Sequence, residues 1–308
     1  MQAIDVDLQH MESALVMAKE PHSFKRLVLG LQPSAPDRTM QLAVELADLL
    51  HLDLLGLFLE DTSLRDLASF PFAREFRSLG GGWHSIDPDR LSQDVELAAR
   101  SIERMFTDAA ERLPTRSQFE VVRGPMTKTF ASVSRTDDIV MIVEPLSPAE
   151  CSTQQFSWLL QAAFRSAAAV MLVPPRIIRT KGPVVAIAAS PDDPSIHAAA
   201  AIATAAKEEL VIIEADGHHA DDPHIRTLAA DTGLTVKRVA AAKIALPDPA
   251  TCTQAFRQVQ ERLVVMTRGA FEDGVASMIA AARRVPVLVV EPPGMVAGET
   301  VPRPNTAH

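Results

Sequence analysis

The residues most suited to chemistry follow the apolar run at 263–267, where an arginine and two glycines lie close together. Arg268 and Gly269 come directly after the run, and Gly274 opens the next predicted helix. A helix N-terminus offers unpaired N–H groups to an anion, and an arginine adds positive charge. This corner predicts a weak general anion site, although two acidic residues lie between the glycines. The alternative is a shortened turn that only packs the helix against a sheet.

A histidine-rich segment is the second candidate for chemistry. It contains His218, His219 and His224 together with Asp216, Asp221 and Asp222. Imidazole and carboxylate groups are ligands that suit zinc or nickel, so the three histidines are candidate metal ligands. Their spacing matches no known ligand template, and a polar surface loop is the alternative.

Nucleophilic catalysis finds no support in the sequence. The chain contains no G-x-S-x-G elbow, no P-loop, no H-E-x-x-H and no Rossmann G-x-G-x-x-G pattern. We therefore predict no catalytic residue and no enzymatic activity. Ser34 and Ser190, which follow two strand-like runs, are expected to cap helices by accepting hydrogen bonds from free N–H groups.

An aromatic segment at 70–76, FPFAREF, places three phenylalanines beside Arg74 and Glu75. Aromatic residues around an arginine can anchor a protein partner. The alternative is that the phenylalanines fill the core beneath this segment while the charged side chains remain exposed.

The composition limits the class of partner. The chain has 308 residues, 47% of them hydrophobic, and a formal net charge of −9. A negative chain does not attract phosphate backbones or anionic lipid, so we expect neither nucleic acid nor membrane as a partner. The acidic start differs from a signal peptide, and the chain has only two cysteines, Cys151 and Cys252. These features favour a cytoplasmic location with reduced thiols.

The elements that would position these residues occur twice along the chain. Apolar runs predict strands at 27–31, 52–61, 119–124, 139–143 and 169–173, and again at 183–188, 210–215, 234–240, 263–267 and 285–290. Helical patterns lie between them, so each half reads as alternating strands and helices. Continuous apolar strands joined by helices predict a parallel sheet that is covered on both faces.

The repeat also predicts the domain boundaries. We expect an N-terminal extension at 1–23, a first domain at 24–175 and a second domain at 183–293. The first domain carries an insertion at about 62–115, which includes the aromatic segment. A linker at 176–182 joins the domains, and a flexible tail covers 294–308.

The phrases LVLGLQPS at 27–34, VVAIAAS at 184–190 and LVVMTRG at 263–269, with the closing phrases VMLVPP and VLVVEPP, resemble a universal stress protein of the UspA-like family, here as a tandem pair. The resemblance implies two flavodoxin-like, or adenine-nucleotide-hydrolase-like, α/β domains with five-stranded parallel sheets in the strand order 3-2-1-4-5. It also implies that the domains pair through their last strands, 169–173 and 285–290, as a pseudo-dimer.

Many members of this family bind ATP, and the resemblance shows which parts of that signature are missing here. The family's acidic residue at the end of the first strand corresponds to Gln32 and Ala188, and neither is acidic. The family's glycine-rich phosphate loop corresponds in the first half to 143–156, which has no glycine and carries Glu144. In the second half, the remnant of a nucleotide or anion site comprises Ser190, Thr267, Arg268, Gly269 and Gly274.

The resemblance therefore implies a stress-response protein with degenerate ATP motifs that acts without catalysis, as a binding or regulatory module. One rival is an ATP- or AMP-binding member that uses an altered site in the second half. Another is an enzyme of the adenine-nucleotide-hydrolase-like group. We expect no cofactor. The first rival, in contrast, requires ATP or AMP as its ligand. We expect the two halves to associate with each other. Further expected partners are a second copy in a homodimer and a protein bound through 70–76.

Overall fold

The structure is a computed structural model that describes most of the two predicted halves. It covers 24–31, 37–60, 68–70, 72–77, 82–124, 132–145, 154–166, 168–214, 223–240, 259–271 and 274–292, together with residues 62, 66 and 256. The predicted N-terminal extension, the tail, Gln32, Ser34, Cys151 and Cys252 lie outside the described residues. The domain boundaries and the linker stay predictions.

The strands form where the apolar runs predict them, with bounds that differ from the predictions by two residues or fewer. In chain order they are β1 (Arg26–Leu31), β2 (Asp53–Glu60), β3 (Arg74–Arg77), β4 (Gly82–Ser85), β5 (Ser117–Arg123), β6 (Asp138–Val143), β7 (Ala169–Val173), β8 (Val184–Ala188), β9 (Leu210–Glu214), β10 (Val236–Ala240), β11 (Leu263–Thr267) and β12 (Val287–Val290). The short strands β3 and β4 were not predicted.

The helices connect successive strands. They are α1 (Asp37–Leu49), α2 (Pro88–Ala110), α3 (Gln154–Arg165), α4 (Pro194–Ala206), α5 (Pro223–Thr232) and α6 (Val275–Arg283). Helix α4 begins at Pro194, where the Asp193 side chain caps it and the proline occupies its first turn. Proline suits this position because its missing N–H would have no partner within the helix.

The strands other than β3 and β4 form one ten-stranded sheet with the order β10-β9-β8-β11-β12-β7-β6-β1-β2-β5. Within each half the order is 3-2-1-4-5, and neighbouring strands of a half are parallel. The halves meet where β12 pairs antiparallel with β7, with Leu288 opposite Met171. This is the order that the resemblance implies, and the strands that meet are the predicted closing strands.

Each face of the sheet carries a hydrophobic core that extends through both halves. One core contains Leu27 and Leu29 of β1 with buried residues of α1, α2 and α4. The opposite core contains Val28 with buried residues of α3 and α6. Successive side chains of a strand point to opposite faces, so strands in the middle of the sheet need apolar residues at every position. Because β12 and β7 pair antiparallel, the strands of the first half and those of the second half have their carboxyl ends at opposite ends of the sheet.

The inserted segment contains a separate hairpin in which β3 pairs antiparallel with β4. Its aromatic residues Phe70, Phe72 and Phe76 are exposed. The alternative that these phenylalanines fill the core is therefore wrong. Exposed and partly buried residues alternate from 72 to 76. The phenylalanines lie on the exposed side of this segment.

We predict that Gly182→Ala destabilises the protein more than Gly233→Ala does. Gly182 has φ +124°, and a Cβ atom there would lie 2.3 Å from the backbone oxygen of Gln260. Gly233 has φ +66° and nothing within 4 Å of the same position. A left-handed alanine alone costs about 1–2 kcal/mol, so the collision should take the cost of Gly182→Ala to about 3 kcal/mol or more. Urea unfolding of both variants measures the difference, and equal losses would contradict the prediction.

Candidate functional site at the strand ends of the second half

The candidate site lies at the carboxyl ends of β8 and β11, which are neighbouring parallel strands. They are the first and fourth strands of the second half, so this is the point where the strand order reverses direction. Ligands of open α/β sheets bind at such switch points. Ala188 ends β8 and Thr267 ends β11. The residues predicted from the sequence therefore converge on the expected end of the sheet.

The switch point contains a closed network of hydrogen bonds around the buried carboxylate of Asp193. This carboxylate accepts hydrogen bonds from the backbone N–H groups of Ala189 (2.8 Å) and Ser195 (2.9 Å) and from the hydroxyl of Thr267. The Ser195 hydroxyl in turn donates to the carbonyl of Ile187 at 3.1 Å. The Thr267 hydroxyl is thus bound to the residue that caps α4, and the carboxylate at this switch point is buried.

Ser190 lies outside this network of side chains. It is exposed, and its backbone carbonyl accepts a hydrogen bond from the N–H of Asp193 at 3.2 Å. Because Asp193 is the residue that caps α4, the prediction that Ser190 caps this helix is wrong. The cap lies three residues further along, where the Asp-Pro pair marks it.

Arg268 contacts the other half of the chain. Its Nη1 donates to the carbonyls of Phe164 (2.8 Å) and Ser166 (3.1 Å), and its Nη2 donates to the carbonyl of Ala168 (3.0 Å). The guanidinium also lies 5.5 Å from the centre of the Phe164 ring. Carbonyls at the end of a helix lack partners within it and carry partial negative charge. The arginine satisfies the end of α3 and joins the two halves.

The environment of Arg268 fits this structural role. The side chain is largely buried and forms an ion pair with Glu291, which follows β12. Burial lowers the pKa of the Arg268 guanidinium to about 10, so the group stays protonated at neutral pH. The structure thus places the guanidinium between the two halves, and the anion-binding role of Arg268 stays a prediction. Its partners are backbone carbonyls about a hundred residues away, which have no sequence signature.

The two glycines of the site adopt backbone conformations that favour glycine. Gly269 has φ +75° and Gly274 has φ +91°, both in the left-handed region. Gly274 precedes α6 and makes no side-chain cap, and open space surrounds the position of its missing Cβ. The residues between the two glycines include 272 and 273, which lie outside the described residues. The anion site at this helix N-terminus stays a prediction.

The first half carries an acid at the position that Arg268 occupies in the second. The Glu144 N–H donates to the carbonyl of Val173 at 2.8 Å, and the Arg268 N–H donates to Val290 at 2.8 Å. Both residues follow the fourth strand of their half and bond to the end of the fifth. Burial raises the pKa of the Glu144 carboxyl. The acid expected to oppose phosphate in this half therefore lies half-buried at the strand end.

Sequence reasoning missed a carboxylate–arginine pair that occurs in both halves. Glu60 ends β2 and pairs with Arg123 of β5 at 2.7 Å, and Glu214 ends β9 and pairs with Arg238 of β10 at 3.5 Å. In the second half Glu214 lies in register with Ala188. A carboxylate therefore stands on the strand next to the position where the family has its acid. The signal was available, since each second strand ends in glutamate.

The metal hypothesis receives no test from the described part of the chain. His218 and His219 lie outside it, and so does the side chain of His224. Among the residues that the structure describes, no group of three histidine, cysteine or acidic side chains could hold a metal ion. Within the same residues, none of the helices combines the length and the apolar character that crossing a membrane requires.

Comparison with known proteins gives matches at the level of structure alone. No protein-family model and no curated protein sequence matches the chain. A universal stress protein from Archaeoglobus fulgidus DSM 4304 is similar over 89% of this chain and 99% of its own, with a TM-score of 0.58 and 11% identity.

Two further structures are similar at lower scores. A functionally unknown protein from Pseudomonas aeruginosa PAO1 matches 88% of this chain and 94% of its own, with a TM-score of 0.46 and 16% identity. A universal stress protein in complex with cAMP matches 50% of this chain and 98% of its own, with a TM-score of 0.31 and 12% identity. The Archaeoglobus structure matches across both halves of the sheet and identifies the fold. The chain has the fold of the universal stress proteins.

Proposed function

We propose that this chain is a non-catalytic protein of the universal stress type, which acts as a binding or regulatory module and does not use ATP. The observation that carries the proposal is the position of Arg268. Its guanidinium donates three hydrogen bonds to carbonyls of the other half. The positive charge that follows the fourth strand therefore stabilises the pairing of the halves and is withdrawn from any phosphate.

The surroundings of the switch point support the same conclusion. The buried Asp193 carboxylate and the Thr267 hydroxyl bond to each other and to the start of α4. A nucleotide phosphate placed here would meet a buried negative charge, which is costly unless a cation compensates it. A nucleophile or general base would also need free lone pairs directed at a substrate. Asp193 and Thr267 direct theirs at the helix cap.

The first half supports the proposal through its charge. Glu144 occupies the position of Arg268, and burial raises the pKa of its carboxyl. A carboxylate at this strand end repels phosphate when it is ionised and leaves no positive group to replace it. Among the described residues, the position after the fourth strand therefore offers no side chain to phosphate in either half, because Arg268 is bonded elsewhere and Glu144 is acidic.

An AMP- or ATP-binding site in the second half is the rival that the geometry favours most. The N-terminus of α6 has no side-chain cap, with open space at Gly274. Glu214 lies in register with Ala188, where a carboxylate oxygen could accept hydrogen bonds from a ribose. Among the described residues, this rival has to rely on backbone N–H groups to bind phosphate, because Arg268 donates to carbonyls of the other half.

We predict that millimolar ATP or AMP leaves the melting temperature of the protein unchanged within about 1 °C. A ligand at a hundred times its Kd would stabilise the folded state by about 2.7 kcal/mol, which corresponds to a shift of several degrees. Thermal unfolding with and without nucleotide makes the measurement, and mass spectrometry of the purified protein tests for a ligand that stays bound. A shift of several degrees would contradict the proposal, and its loss in Glu214→Gln would favour the rival.

We predict that Arg268→Ala lowers the free energy of unfolding by about 3 kcal/mol, because it leaves the buried carbonyls and Glu291 without their cation. Arg100→Ala is the matched control. Arg100 is 65% exposed and pairs with Glu96 within α2, and exposed pairs of this kind contribute about 0.5 kcal/mol or less. Urea unfolding of both variants gives the comparison. Equal losses would show that the contacts of Arg268 do not stabilise the pairing of the halves.

We predict that Glu144→Gln stabilises the protein at neutral pH and has little effect near pH 4. The folded pKa of Glu144 is raised by burial, so the native state holds this proton more tightly than the unfolded state does. The native state therefore loses stability as the pH rises from the unfolded pKa through the folded pKa. Melting temperatures across this range, with exposed Glu103→Gln as the control, make the test. A constant difference between Glu144→Gln and the parent protein at every pH would contradict it.

A further inference from the structure

The hairpin formed by β3 and β4 exposes an aromatic face. Residues 72, 74 and 76 are exposed and residues 73 and 75 are partly buried, so Phe72, Arg74 and Phe76 lie on one side of this segment. Phe76 lies opposite Trp83, and their rings meet edge to face at 5.5 Å. Phe72 is 75% exposed, Phe76 61% and Trp83 66%. We call Phe72, Phe76 and Trp83 the aromatic face.

The size of the aromatic face matches one amphipathic helix. The face is roughly 13 Å long, since Phe76 follows Phe72 by four residues of extended chain. A hairpin of two strands is about as wide as an α-helix, which measures about 10 Å across. Contiguous exposed apolar patches of this kind mark interaction sites on folded proteins. One helix with an apolar stripe is therefore enough to cover the three rings.

The chain itself carries a segment with such a stripe. Residues 1–23 lie outside the described residues, and the sequence there has apolar side chains at helical spacing, namely Ile4, Leu8, Met11 and Leu15. This spacing puts the four side chains on one side of a helix. The stripe would be about 16 Å long at a rise of about 1.5 Å per residue. We call residues 4–15 the amphipathic segment, and 16–23 connect it to the described body.

We propose that the amphipathic segment docks as a helix on the aromatic face of its own chain, as an autoinhibitory contact. Recognition of a helix by an apolar surface uses anchor residues at this spacing. The docked stripe covers Phe72, Phe76 and Trp83. A protein partner of the hairpin therefore has to displace the segment before it binds.

The point where the segment joins the body allows this contact. Phe24 packs against the core and Lys25 pairs with Asp137, so the chain is fixed to the body from residue 24 onward. β1 begins directly afterwards, β2 lies parallel beside it, and the hairpin is inserted after the end of β2. The path from residue 24 to the hairpin is therefore roughly the length of β1, about 20 Å. The connection 16–23 extends to about 26 Å, so it can span this path.

Charge favours this segment as the occupant. Residues 1–23 contain four acidic residues and one lysine, whereas the charged residue between the exposed phenylalanines is Arg74. In a helix, Asp7 and Glu12 lie about 70° from the centre of the stripe on either side. A carboxylate is then available at the rim of the contact to pair with Arg74. A nucleic acid or an anionic membrane would approach a chain whose net charge is −9, which opposes binding.

The contact needs little intrinsic affinity because the segment is tethered. A short flexible connection gives an effective concentration of about 1 mM, so an intrinsic Kd of about 0.1 mM keeps the segment docked for about nine-tenths of the time. Because the contact lies within one chain, we expect it to be independent of protein concentration.

The first test measures the exposure of Trp83 in the full chain. Trp83 and Trp158 are the two tryptophans of the protein, so Trp158→Phe leaves Trp83 as the only indole. In this background, Leu8→Ser with Met11→Ser removes the middle of the stripe and should release the segment. The acrylamide quenching constant of Trp83 should then rise roughly twofold or more, because the docked fraction falls from about nine-tenths to a minority.

Trp83→Phe provides the matched control, since it leaves Trp158 as the only indole. Trp158 lies on α3 and is 40% exposed. Leu8→Ser with Met11→Ser should leave its quenching constant unchanged, because α3 is not part of the proposed contact. Circular dichroism of each variant reports whether the fold is intact.

The second test locates the segment by cross-linking in the full chain. Arg74→Lys keeps the positive charge and supplies an amine, which a carbodiimide joins to a neighbouring carboxylate. Mass spectrometry should find residue 74 of this variant linked to Asp7 or Glu12. Arg100→Lys is the matched control, since Arg100 is 65% exposed on α2 and should give no such link. An equal mixture of isotope-labelled and unlabelled chains should show that the link joins residues of one chain.

Three results would overturn the proposal. Equal quenching of Trp83 with and without the stripe substitutions would show that the segment does not cover the aromatic face. A link between labelled and unlabelled chains would assign the face to the segment of a second copy. A link from Asp7 or Glu12 to the exposed Lys181 in place of residue 74 would put the segment elsewhere on the surface.

Discussion

The antiparallel pairing of β12 with β7 is the contact on which the rest of the structure depends. It converts two parallel five-stranded sheets into one sheet, with Val287, Leu288 and Val289 opposite Leu172, Met171 and Val170. The closing strands of both halves would otherwise be sheet edges with unpaired backbone groups. Because the strands are apolar on both faces, the pairing also extends each hydrophobic core across the halves. The halves thus depend on each other for backbone hydrogen bonds and for burial.

The same pairing explains why Arg268 contacts the other half of the chain. The antiparallel seam brings the carboxyl end of β12 beside the start of β7, and the end of α3 lies just before β7. Arg268 can therefore reach carbonyls that α3 leaves without partners. Glu144 follows the fourth strand in the same way, but an ionised carboxylate has no hydrogen to donate. The arginine after the fourth strand of the second half therefore bonds to the first half, whereas the glutamate at the same position of the first half lies half-buried.

The fold was predictable from the sequence to a greater extent than the site. Apolar runs located the strands of the ten-stranded sheet within two residues, since strands covered on both faces must be apolar throughout. The cap of α4 lies at Asp193, directly before Pro194, and a proline in the first turn is a helix-start signal that the sequence carries. Arg268 was identified, but its partners are carbonyls of the other half, and carbonyl positions depend on how the two halves meet. The hairpin escaped prediction because its aromatic residues suggest burial, whereas the structure exposes them.

The differences between the halves are the more informative guide to what the protein does. Features that both halves share, such as the closing strands and the glutamate–arginine pairs of Glu60 and Glu214, serve the sheet and its edges. Features that only one half possesses are not required by the repeated architecture. The aromatic hairpin lies in the first half and adds no strand to the common sheet. Its exposed rings do not serve the hydrophobic cores, so a surface contact is the physical role that remains for them.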